Sequence, residues 1–282
     1  MNTKHLLQLG ASMLLAIWAA NAAANKPYIL TAPPRDSGGA EADVYEPIAQ
    51  YLSAATGKKI DYRHYDNWLT YQDRMRRDEF DIVFDGPHFV GWRIVKLDHE
   101  PLVRLPGKLA FVVAVKKDND KIASVKDLAG RTVCGLAPPN LATLTVLNQF
   151  DNPARQPIVV EVKSFKESYA AMANGKCVAS ILRDNAFKRF NEEKKLGKVI
   201  FKSEGIANQG FSVSKRVADA DRIKIVQALT APDAPKRLKA FFERYNKDKD
   251  LAKTSRDEYQ DLGKLLRDVW GFDLAAESAT KR

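Results

Sequence analysis

The sequence predicts an α/β protein built from two lobes, each a mostly parallel sheet flanked by helices. Two observations support this prediction. Short apolar runs alternate with stretches of helical period, the order typical of parallel sheets covered on both faces. A long β-rich run, Leu109–Val115, interrupts this order, and the pattern then starts again as a second α/β unit.

The stretch Asp78–Trp92 organises the rest of the chain. An apolar strand there runs through Asp85-Gly86-Pro87 into a helix. Pro87 suits the first helical turn because it needs no N–H there. Such a turn aims backbone N–H groups at the carboxyl end of the strand, where open α/β sheets bind ligands and a helix N-terminus favours anions. Taken alone, the same turn also fits an ordinary strand-to-helix connection.

The first lobe is predicted from three strand–helix pairs in a row. The first strand begins at Tyr28 and the second at Ile60, each followed by a helical period, and the organising stretch supplies the third pair. Because the carboxyl ends of parallel strands meet at one edge of a sheet, the loops near Arg35, Asn67 and Gly86 should converge there.

The second lobe follows the charged stretch 116–121. Extended segments are expected at 131–136, 158–162, 177–182, 198–201 and 209–213, before a helical tail. The extended runs near 109–115 and 208–213 would form a two-strand hinge. That places lobe one at 25–112 plus 211–282, and lobe two, inserted into it, at 113–210. A cleft between such lobes can close on a ligand.

The first 24 residues predict a secretory signal peptide. Lys4 precedes the apolar run Leu6–Ala20, and small residues follow as far as Ala24, after which we expect cleavage. The run is shorter than the ~20 apolar residues that a membrane-spanning helix needs. No Cys directly follows the apolar core, so the sequence predicts no lipid anchor. The mature protein is therefore expected in the periplasm.

The composition is that of an ordinary globular protein, with 45% hydrophobic and 28% charged residues. The formal net charge of the full chain is +10. Lys and Arg are scattered among Asp and Glu, without a block of five like charges. The charge therefore fits a small anionic ligand without identifying one, and it gives no support to a nucleic-acid partner.

Two cysteines, Cys134 and Cys177, lie in predicted strands beyond the leader. In an oxidising compartment an even pair suggests one disulfide. Closing that loop would stabilise the fold by ~4 kcal/mol in the chain-entropy description. Two buried free thiols are the alternative.

The order and spacing of five segments resemble the phosphate/phosphonate-type solute-binding proteins of ABC importers, within the type II periplasmic binding fold. The resemblance covers roughly residues 28–213. The segments are D-V-Y-E-P-I-A-Q-Y-L-S-A-A-T-G-K-K-I, F-D-I-V-F-D-G-P-H-F-V, L-A-F-V-V-A-V, I-A-S-V-K-D-L-A-G-R-T-V and S-F-K-E-S-Y-A-A-M-A-N-G-K. The resemblance implies an extracytoplasmic receptor, expected to be a monomer, that captures a small anionic solute and offers it to an ABC permease in the inner membrane.

The resemblance also implies which segments contact the ligand. The turn Asp85–Phe89 would provide N–H donors and an aromatic wall, although Phe89 stands where the family has Tyr. The family places a Ser/Thr-rich, Gly-containing cluster after the strand that holds Cys134. Here that stretch reads A-P-P-N-L-A-T, which we call the Pro-Pro-Asn loop, and it offers only Asn140 and Thr143. The resemblance therefore leaves open which oxyanion is bound.

The candidate ligand-binding set combines strand ends and helix starts from both predicted lobes. Its members are Arg35, Asn67, Tyr71, Asp85, Gly86, His88, Phe89, Asn140, Thr143, Ser164, Phe165 and Arg183. Arg183 is the strongest charged candidate of lobe two, because a permanent charge at a strand end in a cleft needs a partner. Some of them have a purely structural alternative: a solvated loop for Arg35, the core for Tyr71, helix capping for Asp85 and a surface position for His88. Asn67 or Asp66 is expected to cap the helix that carries Tyr71, and Ser164 with Glu167 is expected to form a capping box.

Other chemistry has little support in the sequence. Only His64, His88 and His99 lie beyond the leader, and we find no H-E-x-x-H segment, thiolate cluster, G-x-S-x-G turn or G-x-x-x-x-G-K-[ST] loop. We therefore expect no metal, no cofactor and no catalysis. The alternative function, motivated by the Pro-Pro-Asn loop, is a periplasmic accessory or sensor protein that docks on a membrane partner. An enzyme on the same fold ranks third.

Overall fold

The computed structural model describes residues 26–35, 37–192, 195–245, 250–267, 269 and 272, so the predicted signal peptide lies outside the described residues. The chain has two compact units, Met1–Val83 with Arg216–Asp248, and Phe84–Lys215 with Lys249–Arg282. Each unit has the predicted α/β architecture, with helices packed on sheets. The predicted lobes have other bounds and stay a prediction.

The first unit contains a parallel group of strands. Strand β1 (Tyr28–Thr31) pairs in parallel with β2 (Ile60–Tyr62) and with β3 (Ile82–Asp85), whose last two residues belong to the second unit. Leu30 of β1 lies opposite Tyr62 on one side and Ile82 on the other. This confirms the predicted order of the first three strands. The helices of this unit are α1 (Gly38–Thr56), α2 (Trp68–Arg76), α7 (Asp219–Leu229), α8 (Ala234–Arg237) and α9 (Lys239–Tyr245).

The second unit contains a mixed five-stranded sheet. Its strands, in spatial order, are β10 (Gly197–Lys202), β6 (Phe111–Lys116), β9 (Ala179–Arg183), β7 (Thr132–Gly135) and β8 (Ile158–Glu161). Strand β7 runs parallel to both β8 and β9, whereas β6 runs antiparallel to β9 and β10. The carboxyl ends of β7, β8 and β9 therefore lie at the same edge of this sheet, which we call the carboxyl edge.

Shorter strands and helices complete the second unit. Strand β4 (Glu100–Arg104) pairs antiparallel with β12 (Gly210–Val213) and β13 (Ala252–Lys253), and β5 (Lys108–Leu109) with β11 (Ile206–Ala207). The long β-rich run is thus two strands, β5 and β6. The helices are α3 (Pro87–Leu97), α4 (Leu141–Leu147), α5 (Phe165–Ala173) and α6 (Asp184–Asn191), with 3₁₀ turns at Val125–Leu128, Pro153–Arg155, Arg256–Glu258 and Gln260–Leu266.

The core of the second unit lies on both faces of the five-stranded sheet. Val113 and Val115 of β6 pack with Val133 and Ile181 on one face. Their neighbour Val112 faces the other side and packs there with a second apolar cluster. Successive residues of β6 are therefore buried on opposite faces, which is the reason why the run is apolar without alternation.

The predicted disulfide is confirmed. Cys134 of β7 and Cys177, just before β9, are bonded, and their Cα atoms are 5.7 Å apart. The bond lies in a small apolar cluster with Val162 and Ala171. Within the described part of the chain, we find no helix that is both long and apolar enough to span a bilayer.

Candidate functional site

The turn after β3 is closed by a histidine. Gly86 precedes α3, Pro87 is the first helical residue, and the His88 side chain is only 4% exposed. The Nε2 atom of His88 lies 3.0 Å from the carbonyl oxygen of Pro139. The ring also covers Gly86, because a Cβ built on Gly86 would lie 2.7 Å from Cε1 of His88. The turn and the Pro-Pro-Asn loop are thus in direct contact within the second unit.

Asp85 is engaged by an arginine that the sequence analysis did not single out. The Nε atom of Arg93 donates to Oδ2 of Asp85 at 2.8 Å, and both side chains are fully buried. The available signal was an arginine in the mostly apolar helix α3, two turns beyond the strand end. The ion pair offsets the charge of Asp85 and fixes the start of α3 against the end of β3.

Phe89 forms part of the packing beneath the turn. It is 2% exposed, its ring centroid is 4.2 Å from that of His88, and it is 5.6 Å from that of Phe272. The predicted aromatic wall is therefore covered by Phe272 on one side and by His88 on the other.

The polar groups of the Pro-Pro-Asn loop are used within the loop and by α4. Asn140 caps α4, because its Oδ1 accepts from the N–H of Ala142 at 3.0 Å. Thr143 is fully buried, and its hydroxyl donates to the carbonyl of Leu136 at 2.6 Å. With Pro139 bonded to His88, the loop is held at three points.

The carboxyl edge also contains Ser164, Phe165 and Arg183. Ser164 is exposed and caps α5 by accepting from the N–H of Glu167 at 3.1 Å, which is the predicted cap. The Glu167 carboxylate accepts from the N–H of Lys163, one residue before the cap. Arg183, the last residue of β9, is half-exposed, and its Cζ lies 5.9 Å from the centroid of the Phe165 ring. A guanidinium resting on an aromatic face at a strand end can receive an anion from solvent.

The remaining candidates belong to the first unit. Arg35 is exposed, and its Nη1 lies 3.3 Å from the hydroxyl of Tyr45. Asn67 is exposed and caps α2 by accepting from the N–H of Thr70 at 2.9 Å, which confirms the predicted cap. Tyr71 is fully buried, with its ring stacked on that of Phe80. Arg35 and Asn67 are therefore open to solvent, whereas Tyr71 belongs to the core.

A tyrosine–arginine cluster beside Arg35 was missed by the sequence analysis. The hydroxyls of Tyr45 and Tyr245 are 2.8 Å apart, and Arg244 bonds to the buried carboxylate of Glu41 at 3.1 Å. Burial raises the pKa of Tyr45 well above its usual value, so this hydroxyl stays neutral at physiological pH. Tyr45 and Tyr245 are 200 positions apart, and no local pattern relates them.

The described residues contain no group of three or more His, Cys, Asp and Glu side chains arranged to hold a metal ion. Several groups in the described part of the second unit could bind an anion. One guanidinium, one imidazole N–H and the starts of α4 and α5 lie near the carboxyl edge.

Comparison with known proteins gives a family and a fold. The model of the family described as "ABC transporter, phosphonate, periplasmic substrate-binding protein" matches residues 30–259. Among solved structures, XAC2383 from Xanthomonas citri bound to chloride ion is 16% identical, with 85% of this chain and 97% of that chain covered and a TM-score of 0.67. No curated protein sequence matches the chain.

Two further structures are similar. PhnD1 from Prochlorococcus marinus in complex with methylphosphonate is 14% identical, with 86% of this chain and 98% of that chain covered and a TM-score of 0.62. A binding protein component of an ABC phosphonate transporter from Pseudomonas aeruginosa is 15% identical, with 86% and 85% covered and a TM-score of 0.58. The chain therefore belongs to the phosphonate-type periplasmic substrate-binding proteins of ABC transporters, with their type II periplasmic binding fold and their role as solute receptors for an importer.

Proposed function

We propose that this receptor binds a small oxyanion at the carboxyl edge of the five-stranded sheet, beside the turn Asp85–Phe89. The observation that supports this site is the contact between His88 and Pro139, 3.0 Å long, because it joins the turn to the loop at that edge. Both segments were selected from the sequence as ligand-binding, and they belong to one compact unit.

The charges near the edge favour an anion. Arg183 carries a permanent positive charge and is half-exposed. Asp85, the acidic residue of the turn, has its charge offset by the buried Arg93. His88 presents an N–H donor, and Ser164 and Asn140 stand at the starts of two helices, where the backbone favours negative charge.

The ligands of the similar structures support an anionic ligand as well. PhnD1 is described with methylphosphonate, and XAC2383 with ATP and with chloride ion. All of these are anions. The Pro-Pro-Asn loop lacks the Ser/Thr-rich cluster that the family resemblance implies, and its side-chain oxygens are already bonded. We therefore propose the oxyanion class and no single member of it.

The first unit offers further candidate contacts of its own. Arg35 and Asn67 are exposed, and we propose both as ligand contacts of that unit. Tyr71 is a buried residue of α2, the helix that Asn67 caps, so its contribution would be to hold that helix against the core. The remaining parts of the proposal are cleavage after Ala24, a monomeric periplasmic receptor without catalytic activity, and delivery of the solute to an ABC permease.

A thermal-shift and calorimetry panel tests this function. The mature protein, residues 25–282, is titrated with phosphate, methylphosphonate, sulfate, ATP and, as neutral and cationic comparisons, glucose and ethylammonium. A ligand present at ~100 times its dissociation constant should add ~2.7 kcal/mol of stability, which is visible as a higher melting temperature. A shift with anions alone supports the proposal, and a shift with glucose or ethylammonium instead removes the oxyanion class.

Two arginine variants sharpen the test. Arg183→Ala should weaken the anion that binds by about tenfold or more, the range expected for a lost charge-assisted bond. Arg189→Ala is the matched control, because Arg189 is an exposed arginine on α6 whose guanidinium rests on Phe190. Equal weakening by both variants would mean that Arg183 acts only through the general field of the protein.

The accessory or sensor function stays the second candidate. The feature that favours it is the internal bonding of the Pro-Pro-Asn loop through Asn140, Thr143 and the Pro139 carbonyl. If no ligand of the panel raised the melting temperature of the mature protein, this candidate would be favoured. The exposed tip of the loop, Ala137-Pro138, would then be the surface to mutate in a partner-binding assay.

A further inference from the structure

We propose that His88 determines which solutes this receptor accepts. Its imidazole N–H is held by the Pro139 carbonyl, and an incoming oxyanion takes that same N–H over. The proposal rests on the proposed function, since it concerns the ligand of the same site. In this proposal the N–H at Nε2 of His88 selects the ligand, and the Pro139 carbonyl competes with the ligand for that N–H.

The geometry fixes the protonation of the ring. Nε2 of His88 lies 3.0 Å from the carbonyl oxygen of Pro139, which is hydrogen-bonding distance. A carbonyl oxygen can only accept, so Nε2 carries the proton and donates it. A fully ionised oxyanion such as sulfate is also an acceptor only. The carbonyl and the anion therefore compete for one N–H donor, which can make a linear hydrogen bond to only one of them.

The ring is held so that this N–H has one direction. Gly86 lies against one part of the ring, at a distance where a Cβ would be 2.7 Å from Cε1 and 3.0 Å from Nδ1. Phe89 lies against the ring as well, with centroids 4.2 Å apart. Pro87 sets the backbone just before His88. A donor held in this way loses little conformational freedom when it changes partner, so the exchange of acceptors is inexpensive in entropy.

A solute replaces the Pro139 carbonyl only if its hydrogen bond to Nε2 of His88 is the stronger of the two. The Pro139 carbonyl is a neutral acceptor, whereas an oxyanion is a charged one, and a hydrogen bond with an ionised partner is roughly twice as strong as one between neutral groups. A neutral amide or sugar offers an acceptor no better than Pro139. An ammonium group has donors only and cannot accept from Nε2 at all. The expected order of affinity is therefore oxyanion first, neutral acceptor second and ammonium last.

Three variants separate the donor from the ring. His88→Gln places an amide N–H where Nε2 stood, so it should keep most of the affinity for the best anion of the panel. His88→Phe keeps a ring of similar size without any donor and should lose about tenfold to a hundredfold in affinity, the range of a charge-assisted hydrogen bond. His64→Phe, a half-buried histidine of the first unit, is the control and should bind like the parent protein.

Histidine-selective ¹⁵N spectra read the exchange directly. The mature chain has only three histidines, His64, His88 and His99, so each ring can be followed. The spectrum should show the Nε2–H tautomer for His88, and addition of methylphosphonate or sulfate to saturation should move its Nε2–H resonance while His99 stays in place. His99 is buried beyond the far end of α3 and serves as the internal reference.

The outcomes distinguish this inference from the function beneath it. An anion that binds by calorimetry while the His88 resonance stays still, or that binds His88→Phe as tightly as the parent, overturns the role of His88 and leaves the oxyanion receptor intact. Absence of anion binding to the parent protein overturns both. A moved His88 resonance, with retention in His88→Gln and loss in His88→Phe, supports the exchange.

Discussion

The buried ion pair between Asp85 and Arg93 is the contact of the site whose loss we expect to destabilise the protein most. Both side chains are fully buried, and Nε of Arg93 lies 2.8 Å from the carboxylate. Removing one member takes this ion pair away from a charge that stays buried in the interior. Asp85→Asn or Arg93→Met alone should therefore lower the free energy of unfolding by about 3–5 kcal/mol, measured by urea denaturation followed by circular dichroism.

The double variant Asp85→Asn/Arg93→Met tests whether the cost comes from the unpaired charge. It should lose clearly less than the sum of the two single variants, because neither charge then remains buried. Glu243→Ala, which breaks the exposed pair between Lys239 and Glu243, is the control and should change stability very little. Additive losses at Asp85 and Arg93 would mean that packing, and not charge, dominates.

Single residues were predicted well where the reason was local. Asn67 and Ser164 were recognised as helix caps because a cap acts within three residues of itself. The partner of Asp85 is eight positions away, and pairing the two needs the directions of both side chains in the folded unit, which the helical period alone does not give. The contact of His88 with Pro139 joins residues 51 positions apart, and no sequence period encodes it.

At the scale of elements, α3 is held by a close crossing with the 3₁₀ turn Gln260–Leu266. A Cβ on Gly91 would lie 2.3 Å from the carbonyl oxygen of Tyr259, which is backbone and cannot move away cheaply. Gly91→Ala should therefore destabilise the protein by about 3 kcal/mol or more through overpacking. Urea denaturation measures the loss, and proteolysis should cut the segment after Asp250 sooner.

Gly39 of α1 provides the matched control for Gly91. Among the described residues, no atom lies within 4 Å of a Cβ built there. Gly39→Ala adds the same methyl group in a helix with open space around it, so it should be neutral or slightly stabilising. If the two variants lost equal stability, the close crossing would not be the cause.

The end of α3 gives a prediction about pH. Asp98 has a left-handed backbone, and its carboxylate pairs with Lys215 at 2.6 Å and Arg256 at 2.7 Å. The hydrogen bond from Lys215, followed by that from Arg256, lowers the pKa of Asp98 below its usual value. The ionised carboxylate therefore stabilises the fold above the unfolded pKa of ~3.9, and this contribution disappears as pH falls through the lower folded pKa.

Asp98→Asn isolates that contribution. Asn also tolerates the left-handed conformation, so the variant removes the charge and keeps the backbone. The unfolding free energy of the parent should fall more steeply than that of Asp98→Asn as pH decreases from about 5 towards 2. Parallel curves for the two proteins in urea titrations would show that the ion pairs of Asp98 contribute nothing measurable.

Elements were predicted by type more reliably than by extent. The run 109–115 was correctly predicted to be extended. It is divided between β5 and β6, because its first residue, Leu109, pairs with β11 and the residues from Phe111 onwards pair with β9 and β10. The last segment was expected to be helical and contains 3₁₀ turns. Gly263 lies so close to Trp92 that the backbones of the two segments touch, a constraint that only the folded partner reveals.

At the scale of the whole molecule, the fold class followed from repetition. Strand and helix periods alternated twice, and such alternation leaves few topologies. The site was less predictable, since the sequence identified the strand ends but not the bonds that close them. Some candidate side chains are hydrogen-bonded within the protein, as Thr143 is to the carbonyl of Leu136. Which partner such a side chain takes depends on the conformation of its loop. Division of the chain into lobes depends on long-range contacts, which periodicity does not contain.

The disulfide supports the last prediction, because it acts on the entire unfolded chain. Cys134 and Cys177 are 43 positions apart, and closing a loop of that length removes conformational entropy from the unfolded state worth about 4 kcal/mol. The double variant Cys134→Ala/Cys177→Ala should therefore unfold at lower urea concentration and with a larger m-value, since its unfolded chain is less compact. Dithiothreitol should destabilise the parent protein by a similar amount and leave the double variant unchanged. A reductant effect of equal size on both proteins would mean that the loop constraint does not account for the stability.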